Sequence, residues 1–234
     1  MARPVRFYLH LVVAALAASL VLAPSTASAG SQETVTVGSG AKVEMKADLL
    51  KVLIGVRAQR KTASAAENSL SRKAHKVIDA LEASGFRNVK TTDIHISRQT
   101  EKGKLTGYLG SLSLKIQTGD TRAAGKIIDV ATKAGASSVR DVSFDVKDKR
   151  AAIEQALAEA MDFAEVKARV LAEGADRQLG RALKIVEGST EAPRAVHLAA
   201  RDFGGGGGSG GEPLPIKPPK LSASARIRVT FELI

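Results

Sequence analysis

From Leu221 to Leu233 the chain alternates without a fault. Ala223, Ala225, Ile227, Val229 and Phe231 are apolar, and Ser222, Ser224, Arg226, Arg228 and Thr230 stand between them. A repeat of two belongs to a strand with one buried face. Such a strand needs a sheet to join and a layer to cover it. Val35, Val37, Ala41, Val43 and Met45 alternate in the same way against Thr36, Lys42, Glu44 and Lys46. After a turn at Lys46-Ala47-Asp48, Val52, Ile54, Val56 and Ala58 alternate again, so these two runs are expected to form a hairpin. Gly38-Ser39-Gly40 interrupts the first run and is expected to be a bulge or bend.

Helical spacing fills the intervals. Ala66, Leu70, Ala74, Val77, Ile78 and Leu81 place one apolar stripe on a helix from about Ala63 to Ser84. Ser64 and Glu67 fit a capping box at its start, and Gly85 fits its stop. Ile94 and Ile96 mark a strand that Glu101-Lys102-Gly103-Lys104 turns into another, carrying Tyr108, Leu112, Leu114 and Ile116. A short helix from about Thr121 to Ala134 follows, then a strand with Val142, Phe144 and Val146. A long helix, about Asp148 to Glu173, sets Ile153, Leu157, Ala160, Ala164, Ala168 and Leu171 on its inner side, and its alanines permit close approach. A strand near Leu183 to Glu187 precedes the final one. The order predicts an α+β fold, antiparallel hairpins packed with helices, in two halves.

Thr190 to Lys220 is expected to be a flexible, solvent-exposed excursion from a hairpin. Gly204 to Gly208 and Gly210-Gly211 loosen it, while Pro213, Pro215, Pro218 and Pro219 extend it. At the other end, Met1 to Ala29 has the parts of a secretory leader: Arg3 and Arg6, an apolar run from Leu11 to Ala23, and Ala27-Ser28-Ala29 as a cleavage site. Those apolar residues reach only about 20 Å as a helix, short of a ~30 Å hydrocarbon core. Cleavage near Ala29-Gly30 and a periplasmic or secreted location are therefore expected. Lys and Arg number 35 against 24 Asp and Glu, a net +11, and a leader carrying two arginines would take it to +9.

Cysteine is absent, which excludes disulfides, thiol catalysis, zinc knuckles and iron–sulfur clusters. Gly207-Gly208-Ser209-Gly210-Gly211 satisfies G-x-S-x-G, but polyglycine supplies neither the strand nor the helix that a nucleophile elbow needs. Gly205, Gly207 and Gly210 match G-x-G-x-x-G without a βαβ unit. His75, His95 and His197 lack a second metal ligand at short spacing. Asp162 and Glu165 share a helix face, and Glu165 with Arg169 is a helix-supporting pair. No catalytic, cofactor or metal residue is assigned, and the chain is expected not to be an enzyme. Positive charge concentrates in Arg57, Arg60, Lys61, Arg72, Lys73 and Lys76, opposed only by Glu67, as a candidate anion- or membrane-facing cluster. Nucleic acid is disfavoured, because basic and aromatic residues do not interleave.

An ordered set of short features resembles the SIMPL domain family (DUF541). It runs from Val35 and Val37 with Gly38 and Gly40, through Ala47-Asp48 and Gly55-Val56, to Ala65-x-x-Asn68. Leu81-Glu82-Ala83-Ser84-Gly85, Thr92-Asp93-Ile94 and Gly107-Tyr108 continue it, then Ala134-Gly135-Ala136, Phe144, the Ala156 to Ala172 helix and Leu179-Gly180. Ala47 departs from the proline that the family usually places before Asp48. The resemblance covers about Thr34 to Ile234. It implies a periplasmic or secreted bacterial α+β protein with two pseudo-similar halves and no established enzyme activity. Members are linked to oxidative-stress tolerance and to outer-membrane-associated antigens, and some assemble into large rings. Without Cys, and with only Met1, Met45 and Met161, thiol scavenging is excluded here. Three classes follow: a homo-oligomeric envelope scaffold or channel-like assembly, a monomeric module binding anionic envelope components, and a hydrolase.

Overall fold

The computed structural model describes residues 32–198, 201–202 and 216–234. The expected leader at Met1 to Ala29, the Gly204 to Gly211 stretch with its G-x-S-x-G, and Pro213 and Pro215 lie outside the described residues. In chain order the elements are β1 (Thr34–Lys46), β2 (Leu49–Arg60), α1 (Ala63–Ala83), β3 (Val89–Glu101), β4 (Lys104–Thr118) and α2 (Ala124–Lys133). There follow β5 (Ser138–Asp145), α3 (Lys149–Glu173), β6 (Leu179–Glu191), β7 (Val196–Leu198), β8 (Arg201–Asp202) and β9 (Lys220–Leu233). The protein is α+β, and its strands pair antiparallel in two sheets, ordered β1-β9-β6 and β3-β4-β2-β5-β7 with β8 also on β5.

The expected β1–β2 hairpin does not form. β1 pairs β9 along its whole length, from Thr34 opposite Glu232 to Lys46 opposite Lys220, while β2 lies between β4 and β5. A two-residue hairpin turn of type I′ or II′ needs a positive φ at its centre. Ala47 and Asp48 have none, and their link is a corner between sheets. Asp48 secures that corner: its N–H donates to the Asp145 carbonyl at 3.2 Å, and its carboxylate accepts from the Lys147 N–H at 2.7 Å. The β3–β4 hairpin does form where expected, with Lys102 and Gly103 both at positive φ.

Two helices cover one face of the larger sheet. Leu50, Val52, Ile54 and Val56 of β2 and Leu114 and Ile116 of β4 are buried against Leu70, Val77 and Leu81 of α1 and Ile127 of α2, with Phe144 from β5. Each fully buried side chain of this size contributes about 1.5–3 kcal/mol. The N-cap of α1 is Thr62, not Ser64: the Thr62 hydroxyl accepts from the Ala65 N–H at 3.3 Å. Its C-terminus closes as expected at Gly85, whose φ of 95° lets the Phe86 N–H reach the Leu81 carbonyl at 3.0 Å.

On the smaller sheet, α3 packs against β1 and β9 through Ala152, Ala156, Ala160, Ala164, Ala168 and Ala172. The stripe therefore advances strictly by four, and Leu171, expected inside, is exposed. Contact at every fourth residue drifts around a 3.6-residue helix, so the inner line leaves Leu171 to one side. Gly38 to Gly40 is neither bulge nor bend, because β1 keeps an unbroken register with β9 through it. Met45 and Leu221 face each other across that ladder and reach the main core, joining the two layers.

The expected loop is narrower than Thr190 to Lys220. Thr190 and Glu191 end β6, and Val196–Leu198 and Arg201–Asp202 add edge strands to β5. The excursion leaves one sheet, joins the other, and returns to the first as β9.

Candidate functional site

β5 begins its ladder with Ser138 opposite Gly55, so β2 from Arg57 to Arg60 has a free side. Substitute partners fill it. The Arg57 N–H donates to Ser137 Oγ at 3.0 Å, and Lys73 Nζ reaches over from α1 to donate to the Arg57 carbonyl at 3.1 Å. Arg60 turns back to the Gln59 carbonyl at 2.7 Å. Arg57 alternates with buried Val56 and Ala58 and so leaves the sheet on the face away from α1. Arg72, Lys73 and Lys76 stand on the exposed side of α1, and Lys61 lies in the link between the two elements.

All six side chains are thus exposed at one end of the larger sheet, but on both of its faces. Among the described residues none of them forms an ion pair with a carboxylate. This is an electrostatic surface rather than a pocket, able to attract anions over about a Debye length.

The histidines are dispersed. His75 lies within 3.4 Å of Ser71 on α1, and His95 is exposed on β3 opposite Ser111. His197, expected at the edge of a loop, belongs to β7 and meets the Asp141 carboxylate at 3.0 Å. Among the described residues no three His, Cys, Asp or Glu side chains converge as a metal site. Glu165 and Arg169 pair at 2.8 Å, as expected. Asp145 is buried; burial alone would raise its pKa, but hydrogen bonds from Lys51, Lys149 and the Val146 N–H outweigh that and hold it below the usual carboxylate value. Its partners are all structural, joining β2, β5 and the start of α3.

Sequence reasoning missed a second surface. α3 presents Phe163, Val166, Val170 and Leu171 to solvent, 53–62% exposed, at spacings of three, seven and eight. Edge strand β6 exposes Leu183, Ile185 and Val186. Reading Leu171 as an inner residue concealed the first of these.

The order of elements, the β1–β9 pairing and the alanine helix can now be set beside known proteins. The model of the family SIMPL, described as a protein of unknown function (DUF541), matches residues 35–231. The chain belongs to the SIMPL family. This SIMPL protein is 28% identical over 167 residues to the 26 kDa periplasmic immunogenic protein of Brucella melitensis, a match covering 67% of this chain and 66% of the relative. The protein of the same name from Brucella abortus matches with the same identity and coverage. The chain thus spans a little under two thirds of the length of these curated relatives.

Proposed function

We propose that this SIMPL protein is an exported, non-enzymatic envelope protein that self-associates into a scaffold or channel-like assembly, serving envelope or oxidative-stress tolerance. The names of the Brucella relatives support a periplasmic location; removal of a leader near Ala29-Gly30 rests on the sequence pattern of Met1 to Ala29. The observation that carries self-association is the exposed stripe Phe163, Val166, Val170 and Leu171. An apolar row at helical spacing on a solvent face is an interface feature. The edge of β6, unpaired among the described residues and with Leu183 and Ile185 exposed, adds a second place for a copy to join.

Light scattering behind size-exclusion chromatography, at low and high salt, tests this. A discrete multimer that survives high salt and that Phe163→Glu with Val170→Glu dissociates supports it. A monomer at both salts overturns it.

A second reading is a monomeric module that holds anionic lipid or polysaccharide on the basic end of the larger sheet. The contact between Lys73 and Arg57, which gathers β2 and α1 charges at one end, favours it. Under this reading, changing Arg57, Arg60, Arg72 and Lys73 to Gln abolishes binding to anionic liposomes. Unchanged binding sinks it.

A further inference from the structure

β9 is the central strand of the smaller sheet, and α3 covers only one of that sheet's faces. On the other face β9 presents Arg226 and Arg228, both exposed, two residues apart and hence roughly 7 Å from one another along the strand. On the β1 side their neighbours have no side chains, while on β6 Val186 is the ladder partner of Arg228 and Ser189 that of Arg226. Gly40 is the β1 partner of Arg226 and Gly38 that of Arg228, while Gly188 backs onto Arg226 from β6. A Cβ on Gly40 would come within 3.1 Å of the Ala225 carbonyl and 3.2 Å of Arg226 Cγ, so glycine there leaves the arginine stem its place. The result is a trough of about 500 Å³ lined by Arg226 and Arg228, with Lys167 at its β1 rim.

Lys167 donates to the Gly38 carbonyl at 3.1 Å. Arg226 has one long contact, 3.5 Å to Ser189 Oγ, and neither arginine forms an ion pair among the described residues. Along this face Lys42, Lys46, Lys184 and Lys220 add positive charge, against Glu44, already held by Lys220 at 2.9 Å, Glu232, which Arg181 meets at 3.5 Å, and Glu191. Two exposed guanidinium groups on a glycine floor offer planar donor forks to one multiply charged oxyanion. A membrane surface fits less well, since among the described residues of β1, β9 and β6 no aromatic side chain stands on this face to enter the headgroup region.

We propose that the Arg226–Arg228 trough is a binding site for a soluble phosphoryl anion, a diphosphate group being its natural occupant. The site is separate from the basic end of the larger sheet and does not rest on the assembly proposed above.

Calorimetric titration of the purified protein with sodium pyrophosphate, at constant ionic strength, tests it. The expected result is one site per chain, weakened about tenfold or more by Arg226→Gln with Arg228→Gln, and unchanged by Arg57→Gln with Arg72→Gln. Gly38→Leu gives a readout that keeps every charge. A Cβ there meets nothing within 4 Å and the backbone φ is not positive, so the substitution is expected to leave the fold intact, while the leucine side chain stands beside Arg228 in the trough and is expected to block pyrophosphate. Pyrophosphate bound equally by the wild type and the double arginine variant overturns the proposal, as does undiminished binding by Gly38→Leu or no binding at all. Arginine-dependent binding to phosphatidylglycerol vesicles without pyrophosphate binding overturns it too, in favour of a lipid surface.

Discussion

Arg140 on β5 donates a hydrogen bond to Ser113 Oγ on β4 at 2.8 Å, although β2 runs between their strands. It can do so because Gly55 of β2 is the ladder partner of Ser113 on one side and of Ser138 on the other. A Cβ at Gly55 would stand 2.5 Å from Ser138 Oγ and 3.1 Å from Arg140 Nε. The glycine is a slot across the sheet, and the arginine lies in it.

Gly55→Ala is therefore expected to cost about 1–3 kcal/mol, the range for overpacking a tight site. Denaturant unfolding measures it. In an Arg140→Ala background one of the two obstructions is gone, so the same substitution should cost less; a strictly additive pair would show that the slot does not couple them.

Asp145→Asn removes a buried charge that Lys51 at 2.9 Å and Lys149 at 3.1 Å share. A loss of about 1.5–3 kcal/mol at neutral pH is expected, typical of charged hydrogen bonds. The folded state lowers the pKa of this carboxyl from its ordinary 3.8, so its contribution is complete above that value. It disappears as pH falls through the lower, folded-state value. Unfolding free energies of wild type and variant should thus converge below pH 3.8; a gap that stays constant into strong acid would contradict the assignment.

Ala164 lies fully buried where α3 meets the smaller sheet. Ala164→Leu should lower stability by about 1–3 kcal/mol by forcing the helix off the strands. Leu171→Ala, at an exposed position, should change the stability of the monomer by less than about 0.5 kcal/mol. Thermal scans of both variants decide whether the contact line runs along every fourth residue.

Ser39 is buried on β1, in line with Val37 and Ala41, and its hydroxyl has no hydrogen-bond partner among the described residues. Removing an unpaired buried hydroxyl, so that CH2OH becomes CH3, should stabilise, and Ser39→Ala is expected to raise the unfolding free energy by about 1 kcal/mol. A clear decrease in chemical denaturation would mean that the hydroxyl has a partner.

Strands with one buried face were legible because alternation is local: Ala223 to Phe231 needs no partner to be recognised. So was the Lys102-Gly103 turn, whose geometry depends on its own backbone. The partner of β1 was not legible, since no local signal connects Thr36 with Thr230, 194 residues away, though their hydroxyls meet at 2.9 Å. The inner line of α3 was misread at Leu171 because size was given weight over spacing, whereas the approach to β1 selects alanine. The basic cluster was visible as a run of charge. The Arg226–Arg228 trough was not: in sequence the two arginines are the ordinary outward residues of an alternating strand, and only the pairing brings Gly38 and Gly40 beside them.

The β1–β9 ladder also bears on the timing of synthesis. The first strand of the smaller sheet must wait for β9, its one pairing partner among the described residues, and α3 until then has no completed sheet to cover. Pairing between strands so far apart is entropically costly and slow to nucleate. A ribosome that has made every residue up to α3 has still produced a chain whose smaller layer cannot close. Closure of that layer waits on the last strand to be made, residues 220–233.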